Sequence, residues 1–349
     1  MCNKMFPEVG LETIFCTPGG DRGLGSRDNG VRMNHRTKSN SRGAAPLRPV
    51  LLLSAALVLS SGIATSRLVA QPDGSDGPGG PPDTFALTEI TTTYSFSSDG
   101  DIERNGKIGS AEVSHYEFEA SFSLPAPEGW MFSSALSWKR YEFDLTGAVP
   151  LPEELEEIGV NFMAMKDLSD EIGEGWSAMA MLSPSFASDS GSISGDSFNL
   201  MAMATIGKEV SPTFSWNVGV VGMTRGDMKV IPVLGVHWRF APDWDLELGF
   251  PNTDISYQVS KALRLNAGAR FHGGTYYISK APAAGLGKTY LDYQEIRLGF
   301  GAEYQISKNL SVVIDGGMIM DRTFDYYDRN LELEGKSAGY GSLGLKYQF

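Results

Sequence analysis

Both cysteines of the 349-residue chain, Cys2 and Cys16, lie at its extreme N-terminus. The rest has neither a disulfide framework nor a thiolate metal site. No apolar run reaches the roughly 20 residues that a membrane-crossing helix needs. Histidine is scarce, and only His115, His237 and His272 follow residue 70. None sits at a metal-ligand spacing, and there is no G-x-S-x-G nucleophile elbow. The chain therefore reads as a non-enzyme without cofactor or metal. Basic charge is scarce as well. Residues 1–70 carry 9 Lys+Arg and 4 Asp+Glu, which leaves 20 and 38 beyond them, a net charge of −18. Such a surface repels nucleic acid.

One apolar run is present, VLLLSAALVLSSGI from Val50 to Ile63. Arg36, Lys38, Arg42 and Arg48 precede it, and no acid lies between Asp28 and Asp73. This is the layout of a secretory signal peptide. Cleavage is expected after Ala70, in preference to the Gly62-x-Ala64 site. Residues 1–32 carry no pattern, so Met33 is expected to be the true start, 1–32 a mis-called start and 33–70 the signal. No cysteine follows the run, which excludes lipid attachment there. Residues 71–84, QPDGSDGPGGPPDT, are expected to form a disordered linker.

From residue 85 onward the pattern has period 2. Tyr116, Phe118, Ala120, Phe122 and Leu124 alternate with Glu117, Glu119, Ser121 and Ser123. Ile296, Leu298, Phe300, Ala302 and Tyr304 alternate with Arg297, Gly299, Gly301, Glu303 and Gln305. Strands are expected at 85–98, 109–124, 130–145, 157–167, 175–187, 196–207, 213–224, 229–240, 243–250, 253–259, 263–278, 290–306, 310–324 and 337–349. The pair around Pro251 is short, so about 12–14 strands span. The phase slips from Trp138 to Tyr141, which predicts a β-bulge near Lys139.

Turns separate two ends. PAPEGW, IGEGW, KEVSPTFSW and APDWDL are short, and each puts a tryptophan at the start of the next strand: Trp130, Trp176, Trp216 and Trp244. Four tryptophans at one height would form an interface girdle. Longer loops are expected around SSDGDIERNGK, TGAVPLPEELEE, SDSGSISGD, KAPAAGLGK and DYYDRNLELEGK, with one helical turn in LPEELEE. Short turns opposite long loops, with a segment too polar for helical spans, predict an all-β fold. The expected form is a closed antiparallel transmembrane β-barrel, an up-and-down meander over 85–349.

The chain closes on SLGLKYQF. Leu343, Leu345, Tyr347 and Phe349 share one face, with Ser342, Gly344, Lys346 and Gln348 on the other. Ser342, Gly344, Tyr347 and Phe349 resemble the C-terminal signal read by the barrel assembly machinery of Gram-negative bacteria. Residues 85–349 also resemble a family of uncharacterised bacterial outer-membrane barrels, a domain of unknown function. The likeness rests on WDLELGFPNTDISYQVSKALRL, the repeated SK-x-L turns and the ending. It implies an outer-membrane location, reached through the periplasm, and lipid and lipopolysaccharide as neighbours. It assigns no catalytic residue. A more distant likeness is to hydrophobic-substrate channels of the phenol-degradation and fatty-acid uptake type, with no residue carried over.

If the Leu/Phe faces meet lipid, the lumen receives Arg264, Arg270, His272, Arg297, Glu303, Asp315 and Asp321, with Arg239, Asp245, Glu247 and Lys346. Opposed rows of charge either filter small polar solutes or pair into a network that fills a narrow lumen. Met163, Met165, Met179, Met181, Met201 and Met203 occupy one face of three successive strands. Facing inward they would form a soft wall for a hydrophobic ligand, and facing outward a plain lipid surface. The readings of function are a passive channel for small or hydrophobic solutes, a closed structural or surface-interaction barrel, and an outer-membrane lipid-modifying enzyme. The last would need a serine beside His237 or His272.

Overall fold

The computed structural model describes residues 85–226, 229–250 and 252–349. The expected start, signal peptide, cleavage sites and linker lie outside the described residues.

The chain forms β1 (Ala86–Glu103), β2 (Lys107–Leu124), β3 (Trp130–Gly147), β4 (Glu154–Asp167) and β5 (Trp176–Ser188). β6 (Phe198–Ser211), β7 (Phe214–Met223), β8 (Val230–Ala241), β9 (Trp244–Gly249) and β10 (Asn252–Gln258) follow. The last elements are β11 (Leu263–Ile278), β12 (Thr289–Gln305), β13 (Leu310–Tyr326), β14 (Leu331–Gly335) and β15 (Ala338–Gln348). β14 and β15 are two pieces of one strand, since both lie between β13 and β1. Fourteen strands therefore pair antiparallel in chain order, and β1 closes on β15 from Glu89↔Gln348 to Ser97↔Tyr340. The fold is a closed up-and-down β-barrel.

Hydrophobicity is inverted relative to a water-soluble barrel. Leu136, Ile158, Leu182, Leu234, Leu298, Phe300, Ile314 and Leu343 stand exposed on the outer face, while Glu295, Arg297 and Arg322 are buried inside. On β12 the outward positions from Ile296 to Tyr304 cover about 26 Å of strand, or roughly 20 Å of height at a typical barrel tilt. No helix among the described residues is long and apolar enough to cross a membrane.

Three local expectations are corrected. The ladders on both sides of β3 run unbroken through Trp138–Tyr141, so Lys139 is not at a bulge. Tyr141 and Phe143 are buried inward and Arg140 and Glu142 are not, because here the interior turns apolar and the outer face polar. LPEELEE holds no helical turn: Leu151 and Pro152 are buried, and β4 begins at Glu154. The helix among the described residues is instead α1 (Ser169–Ile172), at the opposite end. SSDGDIERNGK and DYYDRNLELEGK are mostly strand, turning at 104–106 and 327–330. Their alternate residues, such as Ile102 and Leu333, are buried and keep the chain extended.

β9 and β10 are short, six and seven residues, so they stop below the top of β11. Above them β11 reaches β5 directly, with Tyr277 opposite Ser188 in a parallel bridge. In its loop-end half the barrel is thus pinched to a ring of β1–β5 and β11–β14. The tops of β6–β8 curl over the outer face of that ring. Asn199 Nδ2 donates to the Thr275 carbonyl at 2.8 Å, and the Arg225 guanidinium lies 4.5 Å above the Tyr290 ring.

Candidate functional site

The lumen of the pinched ring is solid. Tyr141, Phe143, Tyr276, Ile278, Leu291, Tyr293, Phe324 and Tyr326 form one buried cluster with Ile102, Val113, Leu155 and Leu333. Tyr293 stacks on Phe324 at 5.0 Å and meets Tyr141 edge-on at 5.0 Å. Leu151 and Leu286 close the cluster from the β3–β4 and β11–β12 loops. A period-2 reading does not predict this aromatic cap, because it assigns apolar faces to lipid.

A buried charged layer lies against the cap. The Glu295 carboxylate accepts from Arg297 Nη2 at 2.5 Å, Arg322 Nη2 at 2.9 Å and Tyr293 Oη at 2.7 Å. Arg297 also donates to Ser95 Oγ at 3.0 Å and Arg322 to Ser97 Oγ at 2.9 Å, which ties β12 and β13 to β1. Glu117, Lys139 and Glu157 lie side by side on β2, β3 and β4. Three acids and three bases balance, so the layer carries no formal net charge. The Arg297 guanidinium sits 5.2 Å above the Tyr340 ring. That ring lies against Gly299, where a Cβ would collide with Tyr340 Oη.

Toward the turn end the inner wall opens. Arg270 donates to Asp315 at 2.7 Å and approaches Asp254 at 3.8 Å. Arg264 donates to Ser256 at 2.5 Å and stands opposite Glu303. His272 is opposite Glu295. Arg239 meets Asp245 at 3.1 Å, Lys346 meets Glu89 at 3.0 Å, and Glu247 is opposite His237. Asp321 is not on this face. A ladder shift between Ile296 and Arg297 pairs Asp321 with the outward Ile296 and turns Arg322 inward. Arg322, Glu295, Lys139 and Glu157 escaped the sequence reading. For Arg322 the period-2 pattern itself misleads, since the bulge reverses its phase.

The methionines form the facing wall. Met163 pairs with Met181, Met165 with Met179 and Met181 with Met203. These rows share the inner face with Lys139 and Glu157, while Phe162, Leu182 and Ala180 stand outside. Met131, opposite Met165, and Met223, opposite Met201, extend the wall to five strands. Exposure falls from 39% at Met131 to 3% at Met201 and 5% at Met203. At its buried end the wall packs on Val221, Val233 and Phe250. The Phe250 ring in turn lies 5.0 Å from Phe271, on the outer face of β11.

Trp130, Trp176 and Trp244 open β3, β5 and β9, and Trp216 lies near the start of β7, all at the turn end. Trp176 and Trp216 meet edge-on at 5.7 Å, and Lys208 lies 5.1 Å above Trp176. Ser342 and Gly344 lie on the inward face of β15, opposite Ser95 and Thr93 of β1. Tyr347 and Phe349 meet edge-on at 4.8 Å, and the Phe349 amide donates to the Thr88 carbonyl at 3.0 Å. His237 has Ser215 directly across on β7 and Asp245 at 3.5 Å. Among the described residues no group of three His, Cys, Asp or Glu could hold a metal ion.

A family model described as a domain of unknown function (DUF6268) matches residues 83–347. No curated protein matches the chain. Among solved structures it is similar to the deltaS2 mutant of the TodX monoaromatic hydrocarbon channel, at 11% identity and a TM-score of 0.44 over 77% of this chain and 91% of that one. The COG4313 outer membrane channel from Pseudomonas putida F1 is 9% identical, with a TM-score of 0.41 over 79% and 100%. A Pseudomonas aeruginosa FadL homologue is 12% identical, with a TM-score of 0.41 over 76% and 91%.

Proposed function

The chain belongs to this family of unknown function, DUF6268, and we propose that it is an outer-membrane barrel that takes up a small hydrophobic solute along its methionine wall. One observation carries the reading: eight methionines on five adjacent strands face inward, from the exposed Met131 to the buried Met201 and Met203. Unbranched thioethers pack against irregular apolar shapes and make favourable contacts with aromatic rings. The apolar outer belt supports a lipid setting, since in water so much exposed leucine and phenylalanine would aggregate. Export by a signal peptide, insertion by the assembly machinery and contact with lipopolysaccharide complete this reading. The aromatic cap argues against a permanently water-filled pore.

The test is photolabelling with a diazirine derivative of an alkylbenzene, mapped by mass spectrometry on the barrel in lipid vesicles. Labels on β4–β6 at inward positions, displaced by unlabelled naphthalene and lost in Met201→Asp, are expected. Labels confined to outward positions such as Leu182 would leave a closed structural barrel.

A second reading, ester hydrolysis, is favoured by Ser215 standing across from His237 beside Asp245. A serine, a base and an orienting acid on three neighbouring strands suit nucleophilic attack on an ester. Labelling by a fluorophosphonate, abolished in Ser215→Ala, would establish it. Its absence would remove the enzymatic reading.

A further inference from the structure

The contact between β5 and β11 joins strands that five others separate around the wall. Its most highly bonded buried side chain is Asp189, just beyond β5, with Ser190 Oγ adding a 3.5 Å contact to Ser279 Oγ. Asp189 Oδ1 accepts from the Ser279 amide at 3.0 Å and the Ser279 hydroxyl at 2.8 Å. Its Oδ2 accepts from the Lys280 amide at 2.9 Å. The Asp189 amide donates back to the Tyr277 carbonyl at 3.1 Å. A carboxylate accepting several N–H and O–H donors is among the stronger hydrogen-bonding arrangements available to a protein. These bonds fix the end of β11 where Tyr276 and Ile278 complete the aromatic cap.

The material clamped shut is poorly satisfied. His115 Nε2, His272 Nδ1, Tyr141 Oη, Tyr276 Oη and Ser183 Oγ are all buried without a hydrogen-bond partner within the protein. They lie on β2, β3, β5 and β11. His115 stacks on Tyr141 at 4.2 Å and meets His272 edge-on at 6.1 Å. A buried polar atom without a partner costs its lost hydration in full. The closed ring keeps these polar atoms from solvent, and the bonds of Asp189 hold it closed.

We propose that the β5–β11 seam is a gate and Asp189 its latch. Release of Ser279 and Lys280 lets the end of β11 move away from β5. Tyr276 and Ile278 then leave the cap, and the lumen joins the apolar space between β6–β8 and the outer face of β11, where Phe250 meets Phe271. The gate regulates the methionine-lined path and in that respect rests on the solute-uptake reading. Its closure and opening follow from the seam alone.

The experiment is planar-bilayer conductance of the purified protein in potassium chloride, with folding checked by heat-modifiable gel mobility. The wild type is expected to be mostly silent with brief openings. Asp189→Ala should raise the open probability at least tenfold, and Ser279→Ala, which removes one donor, should raise it less. Ser188→Cys with Tyr277→Cys, oxidised, should abolish openings, and reduction should restore them. A folded Asp189→Ala barrel as silent as the wild type overturns the gate, as does an oxidised double variant that still opens. If Asp189→Ala does not fold, Ser279→Ala and the cysteine pair decide. Photolabelling separates the two readings. Labelled methionines with a silent Asp189→Ala overturn the gate alone, and unlabelled methionines with an active one overturn solute uptake alone.

Discussion

Arg322 reaches the Glu295 carboxylate at 2.9 Å from across the β12–β13 bulge, and both side chains are buried. The pair exists because the bulge turns Arg322 inward at the one height where Glu295 needs a second cation.

Breaking this pair from one side should be severe. Arg322→Ala leaves Glu295 with Arg297 alone and should cost about 3–5 kcal/mol, as expected when one partner of a buried ion pair is removed. Replacing the whole triad, Glu295→Leu with Arg297→Met and Arg322→Met, should recover much of that loss, because no buried cation is then left unpaired. Urea midpoints of the folded barrel, read by gel mobility, check both outcomes. A triple variant as unstable as the single would show that the hydrogen bonds of Tyr293, Ser95 and Ser97, rather than the ion pairs, carry the layer.

The methionines provide a readout of the two faces. Met131 is 39% exposed at the turn-end mouth and Met318 is 52% exposed on the outer belt. In lipid vesicles a water-soluble oxidant should convert Met131 first and spare Met318. In a denaturant both should react alike. Equal oxidation of the two in vesicles would place Met318 in water and contradict a lipid-facing belt.

Packing at the buried end of the methionine wall should tolerate shape but not polarity. Met203→Leu keeps volume and should cost under about 1.5 kcal/mol. Met203→Asp puts a charge among Val221, Val233 and Met201 and should cost several times more. Thermal loss of the compact gel form, compared across the two variants, tests the difference.

Removal of Phe349 should separate assembly from stability. The residue adds one amide bond to Thr88 and an edge-on contact with Tyr347, so the refolded barrel should lose only about 1–2 kcal/mol. Yield in bacterial outer membranes should fall by a far larger factor if the ending is read by the assembly machinery. A proportional loss in both would reduce Phe349 to a packing residue.

The sequence made the wall legible and the interior only partly so. Ile296 to Tyr304 alternate cleanly because one neighbour is apolar belt and the other a polar lumen, so period 2 reports directly on side. The methionine rows are legible for the same reason, once register fixes which face is inner. The rule fails where both sides of the wall change character. Tyr141, Phe143 and Phe324 are apolar residues inside, and the phase slip at Lys139 reflects that change of environment rather than a bulge. Asp321 and Arg322 exchange places through an extra residue that no composition marks. The seam between Ser188 and Tyr277 is further out of reach, because it joins non-neighbouring strands and periodicity describes only neighbours.

The pairing of β1 with β15, from Glu89↔Gln348 to Ser97↔Tyr340, also governs the order of events during folding. β1 cannot find its final partner until β15 has been synthesised. Every species before that moment is an open sheet with two unpaired edges, each able to template another chain. Ring completion is thus among the most non-local steps a chain of this length can take, and such contacts are slow to form. The barrel's most exposed moment is therefore the interval before its closing strand, β14 with β15, arrives.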